Sequence, residues 1–287
     1  MKTKRALPKI RLRKVNSHKG DYGHVLILAG SVGLTGAAYL SAQAAILSGS
    51  GLVTLGIPES LNAILAKRLT EVMTLPLAET KEQTLSPKAL AQIKKKLATV
   101  NILAIGPGLS RNPATQQLVR KLIISFSLPV VLDADGINAF SNYPQLLRQH
   151  KGSLTITPHP GELARLINIS VKEIQKDRIK IAKKIAKTYC CVVVLKGHQS
   201  VVAESSGCYY VNQTGNPGMA SGGCGDVLTG IVAALAGGGL SAFNAACLAV
   251  YVHGLAGDYA AKEKGQISVI ASDILRYLPR AFKTMHP

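Results

Sequence analysis

Tryptophan is absent from this 287-residue chain, Phe and Tyr together make up 5% of it, and only 15 Asp and Glu oppose 34 Lys and Arg. A scarcity of stacking rings argues against a single-stranded nucleic-acid platform, which sets bases on aromatic faces. The five cysteines (Cys190, Cys191, Cys208, Cys224, Cys247) are odd in number and contain no CxxC pair. That excludes a disulfide framework or a zinc ribbon and suits a reducing, cytoplasmic setting. Charged residues are also scarce at 17%, against 47% AVILMFWYC. Enough apolar surface is therefore present to offset chain entropy, which excludes disordered, collagenous and mucin-like classes.

Familiar loop designs are missing too. No GxxxxGK[ST] P-loop, GxGxxG dinucleotide turn, GxSxG elbow or HExxH zinc helix occurs. No apolar h-region follows the basic start, so no secretory signal is read there. Residues 1–19 hold eight basic residues (Lys2, Lys4, Arg5, Lys9, Arg11, Arg13, Lys14, Lys19) and no acid, leaving 19 − 8 = +11 for the rest. A solvated arm over 1–17 explains this run best. Attraction of anionic ligands comes next, and nucleic-acid binding is the weakest reading. The charge-free stretch from Val227 to Gly257 is long enough to span a bilayer, but Gly237, Gly238 and Gly239 divide it. It reads as two buried helices.

Short β-branched runs recur at His24 to Ser31, Gly51 to Ile57, Asn101 to Ile105, Pro129 to Asp133, Ser153 to Thr157 and Cys191 to Lys196. Helical patterns separate them, which predicts a three-layer α/β/α sandwich around a mainly parallel sheet. Ser86-Pro87 and Asn112-Pro113 pair a capping side chain with Pro at the first helical position. Val171 to Tyr189 reads as one amphipathic helix with its lysines in water. Ser200 to Glu204 and Cys208 to Asn212 read as a hairpin. No repeat or long linker appears, so residues 18–287 are expected to form one domain.

Five strand ends carry specialised residues, and ligands of open parallel sheets collect beyond strand carboxyl ends. The strongest lies in Asn216-Pro-Gly-Met-Ala-Ser-Gly222-Gly223-Cys224-Gly225-Asp226, followed by an apolar helix. Its glycines turn amides toward one point and the helix start adds positive potential, a seat for phosphate. Asp226 is placed to accept a proton during phosphoryl transfer, or merely to cap the helix. Lys196-Gly197-His198-Gln199-Ser200 offers a lysine to a phosphate. Thr157-Pro-His159-Pro-Gly-Glu162 stiffens the backbone around a histidine, or is a rigid loop with a capping Glu162. Asp133-Ala-Asp135-Gly-Ile-Asn138 offers two carboxylates and an amide that suit Mg²⁺ reached through water, a ribose or a nicotinamide. Capping of a short helix by Asp133 or Asp135 explains it equally well. Gly106-Pro-Gly108 and Gly30-Ser-Val-Gly33-Leu-Thr-Gly36-Ala37-Ala38 permit close approach of a large ligand.

Taken together, Lys19-Gly20 with Tyr22-Gly23, Leu28 to Ser31, Gly36-Ala37-Ala38, Ile105 to Leu109, Leu132 to Asp135, Thr157 to Glu162, Leu195-Lys196-Gly197 and Gly222 to Gly230 resemble the ADP- or ATP-dependent NAD(P)H-hydrate dehydratases of the ribokinase-like superfamily. The resemblance covers nearly all of the chain after residue 18. It implies repair of hydrated NADH or NADPH by nucleotide-driven dehydration with Mg²⁺, Asp226 acting as the base. It also implies that Ala37, Gly108, His159 and Asp226 bind the dinucleotide, and that Lys196 to Ser200 with Gly225 hold ADP or ATP. A homo-oligomer, tetramer included, and a separate epimerase are expected, since the chain leaves no room for a fused one. Cys224 departs from the Ser or Thr usual at its position. The rival readings are a kinase of a small alcohol, such as a vitamin precursor, and a basic nucleic-acid-binding module.

Overall fold

The computed structural model describes Leu7, Pro8, Ile10 and residues 13–285. Most of the expected basic arm lies outside the described residues. Of the part within them, Ile10 packs against the core and Arg13 stacks 4.3 Å over Tyr22 while donating to the Gly49 carbonyl.

The strands are β1 His24–Leu28, β2 Leu52–Pro58, β3 Met73–Leu77, β4 Ile102–Ile105, β5 Val130–Leu132, β6 Leu154–Ile156, β7 Val192–Leu195, β8 Val201–Ala203 and β9 Tyr209–Val211. They form one sheet in the order β3-β2-β1-β4-β5-β6-β7-β8-β9. The first seven are mutually parallel, and the β8–β9 hairpin closes one edge antiparallel. The expected runs at 24–31, 51–57, 101–105, 129–133, 153–157 and 191–196 all contain strands. β3 was not expected. It is an edge strand with a proline, Pro76, exposed along it.

Between the strands lie α1 Thr35–Leu47, α2 Asn62–Ala66, α3 Leu90–Leu97, α4 Pro113–Ser125, α5 Ala134–Asn138, α6 Pro160–Ile167, α7 Val171–Lys176, α8 Arg178–Tyr189, α9 Cys224–Gly237, α10 Ala242–Lys264 and α11 Ala271–Thr284. Asn112 caps α4 as its Asn-Pro pair predicts. Ser86 caps a 3-10 turn that runs on into α3. The single helix expected from Val171 to Tyr189 is broken at Asp177. That residue leaves helical geometry (φ −153°, ψ 77°) and caps a new helix through the Lys180 amide. A side chain that competes with the backbone for its own amides ends one helix and starts another.

Strand side chains alternate between two cores, as the pleat requires. Val25, Ile27, Val192 and Val194 face α1, α9, α10 and α11 on one side. Leu26, Leu28, Val193 and Leu195 face α3, α4, α6 and α8 on the other. Burial on both faces is why these strands read as unbroken apolar runs. Each such side chain contributes roughly 1.5–3 kcal/mol. The described residues thus form the expected three-layer α/β/α sandwich. Helices α9 and α10, which carry the long charge-free stretch, both pack into the first core. Among the described residues no helix is long and apolar enough to cross a membrane.

Strand order reverses between β1 and β4, since β2 and β3 lie beyond β1 and β4 returns to its other side. The crevice of an open α/β sheet lies outside the strand carboxyl ends at such a point. Residues 29–31, 106–108, 133, 157–159 and 196–197 all follow those ends.

Candidate active site

Backbone hydrogen bonds continue past the strands and fix these loops side by side. The Gly30 amide donates to Pro107 (2.8 Å), Asp133 to Ile105 (3.0 Å), Thr157 to Leu132 (3.0 Å) and Lys196 to Pro158 (2.9 Å). Ser31 Oγ donates to the Gly108 carbonyl at 2.8 Å, and a Cβ on Gly108 would meet the Cβ of Ala37 at 3.1 Å. Gly108 and Ala37, far apart in sequence, therefore share one wall.

Asp133 lies at the centre, 1% exposed. It occupies the N-cap position of α5 but makes no side-chain cap. Instead its Oδ1 receives Lys196 Nζ (2.6 Å) and Thr157 Oγ1 (2.7 Å), while Oδ2 receives Thr229 Oγ1 (2.7 Å). Its neighbour Asp135 accepts from the Ser110 amide (2.9 Å) and Asn138 Nδ2 (3.1 Å), and Asn138 Oδ1 accepts from Arg165. Capping by Asp133 is thus replaced by a buried charge pair, which persists because its polar partners are satisfied.

Lys196 Nζ also lies 3.6 Å from Glu162 Oε2. Burial opposes its charge, but Asp133, Glu162 and Asp226 outweigh burial and hold its pKa above the ordinary lysine value. Glu162 is pushed up by burial against the pull of Lys196. His159 caps α6, its Nδ1 accepting from the amides of Gly161 (3.0 Å) and Glu162 (3.4 Å), while Glu162 Oε2 accepts from the His159 amide (2.8 Å). Burial, with Lys196 and Arg165, lowers its pKa and keeps the half-exposed ring neutral.

The glycine loop enters α9 through Gly223, at φ +91°, the left-handed region that glycine adopts without strain. A Cβ there would lie 2.6 Å from Leu40 Cδ1, whereas around Gly222 there is open space. A Cβ on Gly225 would sit 3.3 Å from Lys196 Nζ, so the loop lies directly over the charge cluster. Cys224 is buried with its Sγ 3.4 Å from Ser221 Oγ. Asp226 stands in the first turn of α9. Among the described residues no donor hydrogen-bonds its carboxylate. Burial, then Asp133, raises its pKa against Lys196, and Glu162 and Asp135 add to the rise, bringing it to about 7. The helix start, which favours the anion, does not prevail. A carboxylate free of donors and half-protonated near neutrality is suited to general-base work.

Asn216 lies with the same loop but is used locally. It caps the Pro217–Met219 turn and donates to Asp258 Oδ1 (3.0 Å), pinning the loop to α10.

The sequence profile described as NAD(P)H-hydrate dehydratase matches residues 25–280. The chain belongs to the NAD(P)H-hydrate dehydratase family. It is 48% identical over 273 residues to the bifunctional NAD(P)H-hydrate repair enzyme Nnr of Moorella thermoacetica, covering 95% of this chain and 52% of that protein. The chain thus spans about half the length of such bifunctional relatives. It is 36% identical to the ADP-dependent (S)-NAD(P)H-hydrate dehydratase of Bacillus subtilis, covering 94% and 93% of the two chains. The solved structure of an ADP/ATP-dependent NAD(P)H-hydrate dehydratase from B. subtilis, co-crystallised with ATP/Mg²⁺, superposes with a TM-score of 0.83 at 33% identity, covering 97% and 95%. A ribokinase-like superfamily protein from Enterococcus faecalis gives 0.82 at 26% identity, covering 96% and 92%. The fold is ribokinase-like.

In this NAD(P)H-hydrate dehydratase family member, three side chains at the site carried no sequence signal of their own. Thr229 is one helical turn past Gly225 and bonds both its carbonyl (3.2 Å) and Asp133. His253 on α10 contacts the Cys224 carbonyl through Nε2 at 2.9 Å, and burial drives its pKa down to about 4, so the neutral ring donates there. Arg178 reaches the loop after β7. A Thr four residues beyond a loop glycine was the one pattern that could have been noticed.

Proposed function

We propose that this chain restores hydrated NADH or NADPH, in the 6S form, by nucleotide-dependent dehydration. The observation that carries this reading is Asp226: a donor-free carboxylate of pKa about 7 at the end of a glycine turn, beside one lysine and three further carboxylates. Family membership and the ATP/Mg²⁺ named with the B. subtilis structure support it.

In the proposed reaction Asp226 takes the proton of the C6 hydroxyl as that oxygen attacks the terminal phosphorus. The nucleotide leaves one phosphate shorter. The C6–O bond then breaks, phosphate departing with the bonding pair as the ring nitrogen supplies electrons, and loss of the C5 proton restores the dihydronicotinamide. Phosphoryl transfer asks mainly for positioning and charge stabilisation. Amides of Gly222 to Gly225 and the start of α9 are read as the phosphate seat. Ala37, Gly108 and His159 are read as the dinucleotide wall, and residues Lys196 to Ser200 with Gly225 as the nucleotide side. Because the Lys196 ammonium is engaged by Asp133, backbone amides rather than that ammonium make the first contact with phosphate in this reading.

For Mg²⁺ the residues fit an ion brought in by nucleotide phosphates. Both oxygens of Asp133 are occupied by protein donors, and among the described residues no group of three His, Cys, Asp or Glu could hold an ion. Bound in that way it would neutralise phosphate charge. An epimerase is the expected partner, because a dehydratase for one C6 epimer leaves the other unrepaired. A homo-oligomer and a cytoplasmic setting complete the proposal, the latter fitting five free cysteines.

Incubation with Mg²⁺, ADP or ATP and hydrated NADH is expected to restore the reduced-nicotinamide absorbance. Formation of a stable phosphate ester without recovery of that absorbance would replace this reading with a small-alcohol kinase.

A further inference from the structure

We infer that Arg178 is a positioning residue for the nucleotide: its guanidinium fixes the turn at Lys196 to Ser200 so that the backbone N–H groups of Gly197 and Gln199 are presented to phosphate. The inference rests on the nucleotide-dependent reading above.

Arg178 is the first residue of α8, placed there by the helix break at Asp177. It is separated in role from the lysines of that helix: Lys180, Lys184 and Lys187 are exposed, and Lys183, expected in water, is half-buried with its ammonium 5.4 Å over the Tyr209 ring. Its Nη2 donates to the carbonyls of Leu195 (2.8 Å) and Lys196 (3.1 Å), and its Nη1 donates to the carbonyl of His198. Three carbonyls of one short turn are thus drawn to a single planar cation. Among the described residues no peptide bond is cis, and in a trans peptide the N–H points opposite to the carbonyl of the same unit. The N–H groups of Lys196, Gly197 and Gln199 therefore face away from Arg178. The first is taken by Pro158. For the other two the described residues supply no acceptor, and both residues are exposed, so these N–H groups are open to solvent and to an incoming phosphate.

The turn is also held in a form it would not choose alone. Gly197 has φ +137° and Gln199 has φ +52°, a left-handed value uncommon for a side chain of that size. A Cβ on Gly197 would approach Arg178 Nη2 to 3.2 Å. Beyond the guanidinium, the Lys196 amide bonded to Pro158 (2.9 Å) also fixes the Leu195 peptide, and the turn is tied by Ser200 Oγ to the Gly197 carbonyl (3.0 Å) and by the Asn212 amide to the Ser200 carbonyl (2.9 Å). None of these ties orients the carbonyls of Lys196 or His198, which the guanidinium alone holds.

The test is calorimetric titration of ADP and of ATP, each with Mg²⁺, into the wild type, Arg178→Ala and Arg178→Lys, with steady-state KM measured for both substrates. Nucleotide affinity is expected to fall roughly ten- to a hundredfold in both variants, the scale of a small misplacement of binding groups. A lysine ammonium is a compact point charge without the planar fork whose separate nitrogens reach these carbonyls. The KM for the hydrated dinucleotide stays at its wild-type value, and hydrogen exchange quickens in peptides spanning 195–200 alone. Unchanged nucleotide affinity, or parallel loss of affinity for both substrates with faster exchange throughout, overturns the inference. If Arg178→Ala fails to fold, Arg178→Lys must by itself show the same selective loss. A wild type that binds no nucleotide marks the failure of the functional reading itself.

Discussion

Replacing Asp226 by Asn separates catalysis from folding. Burial and the surrounding carboxylates move this group from 3.8 to about 7. At 1.36 kcal/mol per pKa unit, the folded state opposes ionisation by about 4 kcal/mol, an upper bound for a side chain that keeps some contact with solvent. The sign follows from linkage. Below pH 3.8 the carboxyl is protonated whether folded or unfolded and costs nothing. Between 3.8 and 7 only the unfolded chain ionises freely, so the penalty grows with pH to about 1.5 kcal/mol at pH 5. Above 7 it is complete, at about 4 kcal/mol by pH 8. Asp226→Asn removes the charge while keeping the shape. The variant is expected to be more stable than wild type at pH 8, melting higher by on the order of 8 °C, with a smaller gain at pH 5. Its turnover falls about 10²-fold or more, the scale of losing a general base. Thermal melts at both pH values, with rates of absorbance recovery, measure the two effects together. A stability difference that is the same at pH 5 and pH 8, or a wild-type kcat/KM that does not decline as pH drops below 7, would refute the reasoning.

Three further substitutions bear on the same cluster. Asp133→Asn takes from the Lys196 ammonium its nearest counter-charge, leaving Glu162 at 3.6 Å, and should destabilise the fold by about 3 kcal/mol in denaturant titration. It should also move the acid limb of the pH–rate profile downward, because the charge that helps raise Asp226 is gone. Gly223→Ala forces a Cβ to within 2.6 Å of Leu40 at a left-handed φ. The displaced loop should lower kcat by about 10²-fold, and a rate near wild type would remove that loop from the mechanism. Cys224→Ser introduces a hydroxyl where Ser221 Oγ already lies 3.4 Å from the thiol. The rate should change by no more than about fivefold, one neutral hydrogen bond, and a larger gain would show that the side chain, not only the amide, meets phosphate.

What could be read in advance depended on how local the cause was. Strands buried on both faces, such as Val192–Leu195, announce themselves by unbroken apolar runs, and Asn112-Pro113 names its own helix start. The Gly222 to Asp226 turn was legible because left-handed backbone demands glycine there. Met73–Leu77 was not, since a half-exposed edge run with a proline lacks both alternation and continuity. The break at Asp177 escaped notice because lysines and apolar residues keep a helical spacing across it. At Asp133 the sequence left capping and ligation open, and the outcome turned on Lys196, Thr157 and Thr229, between 24 and 96 residues away. Arg178 and His253 act on backbone carbonyls, which leave no trace in composition or spacing.

Pro76 has a consequence for how copies of this chain can meet. An open sheet margin invites β-augmentation, in which a foreign segment extends the ladder. The exposed pyrrolidine ring withholds an amide and crowds any incoming backbone along β3. Self-association through that margin is disfavoured, which leaves the β9 margin, helical faces and loops as the surfaces on which an assembly would be built.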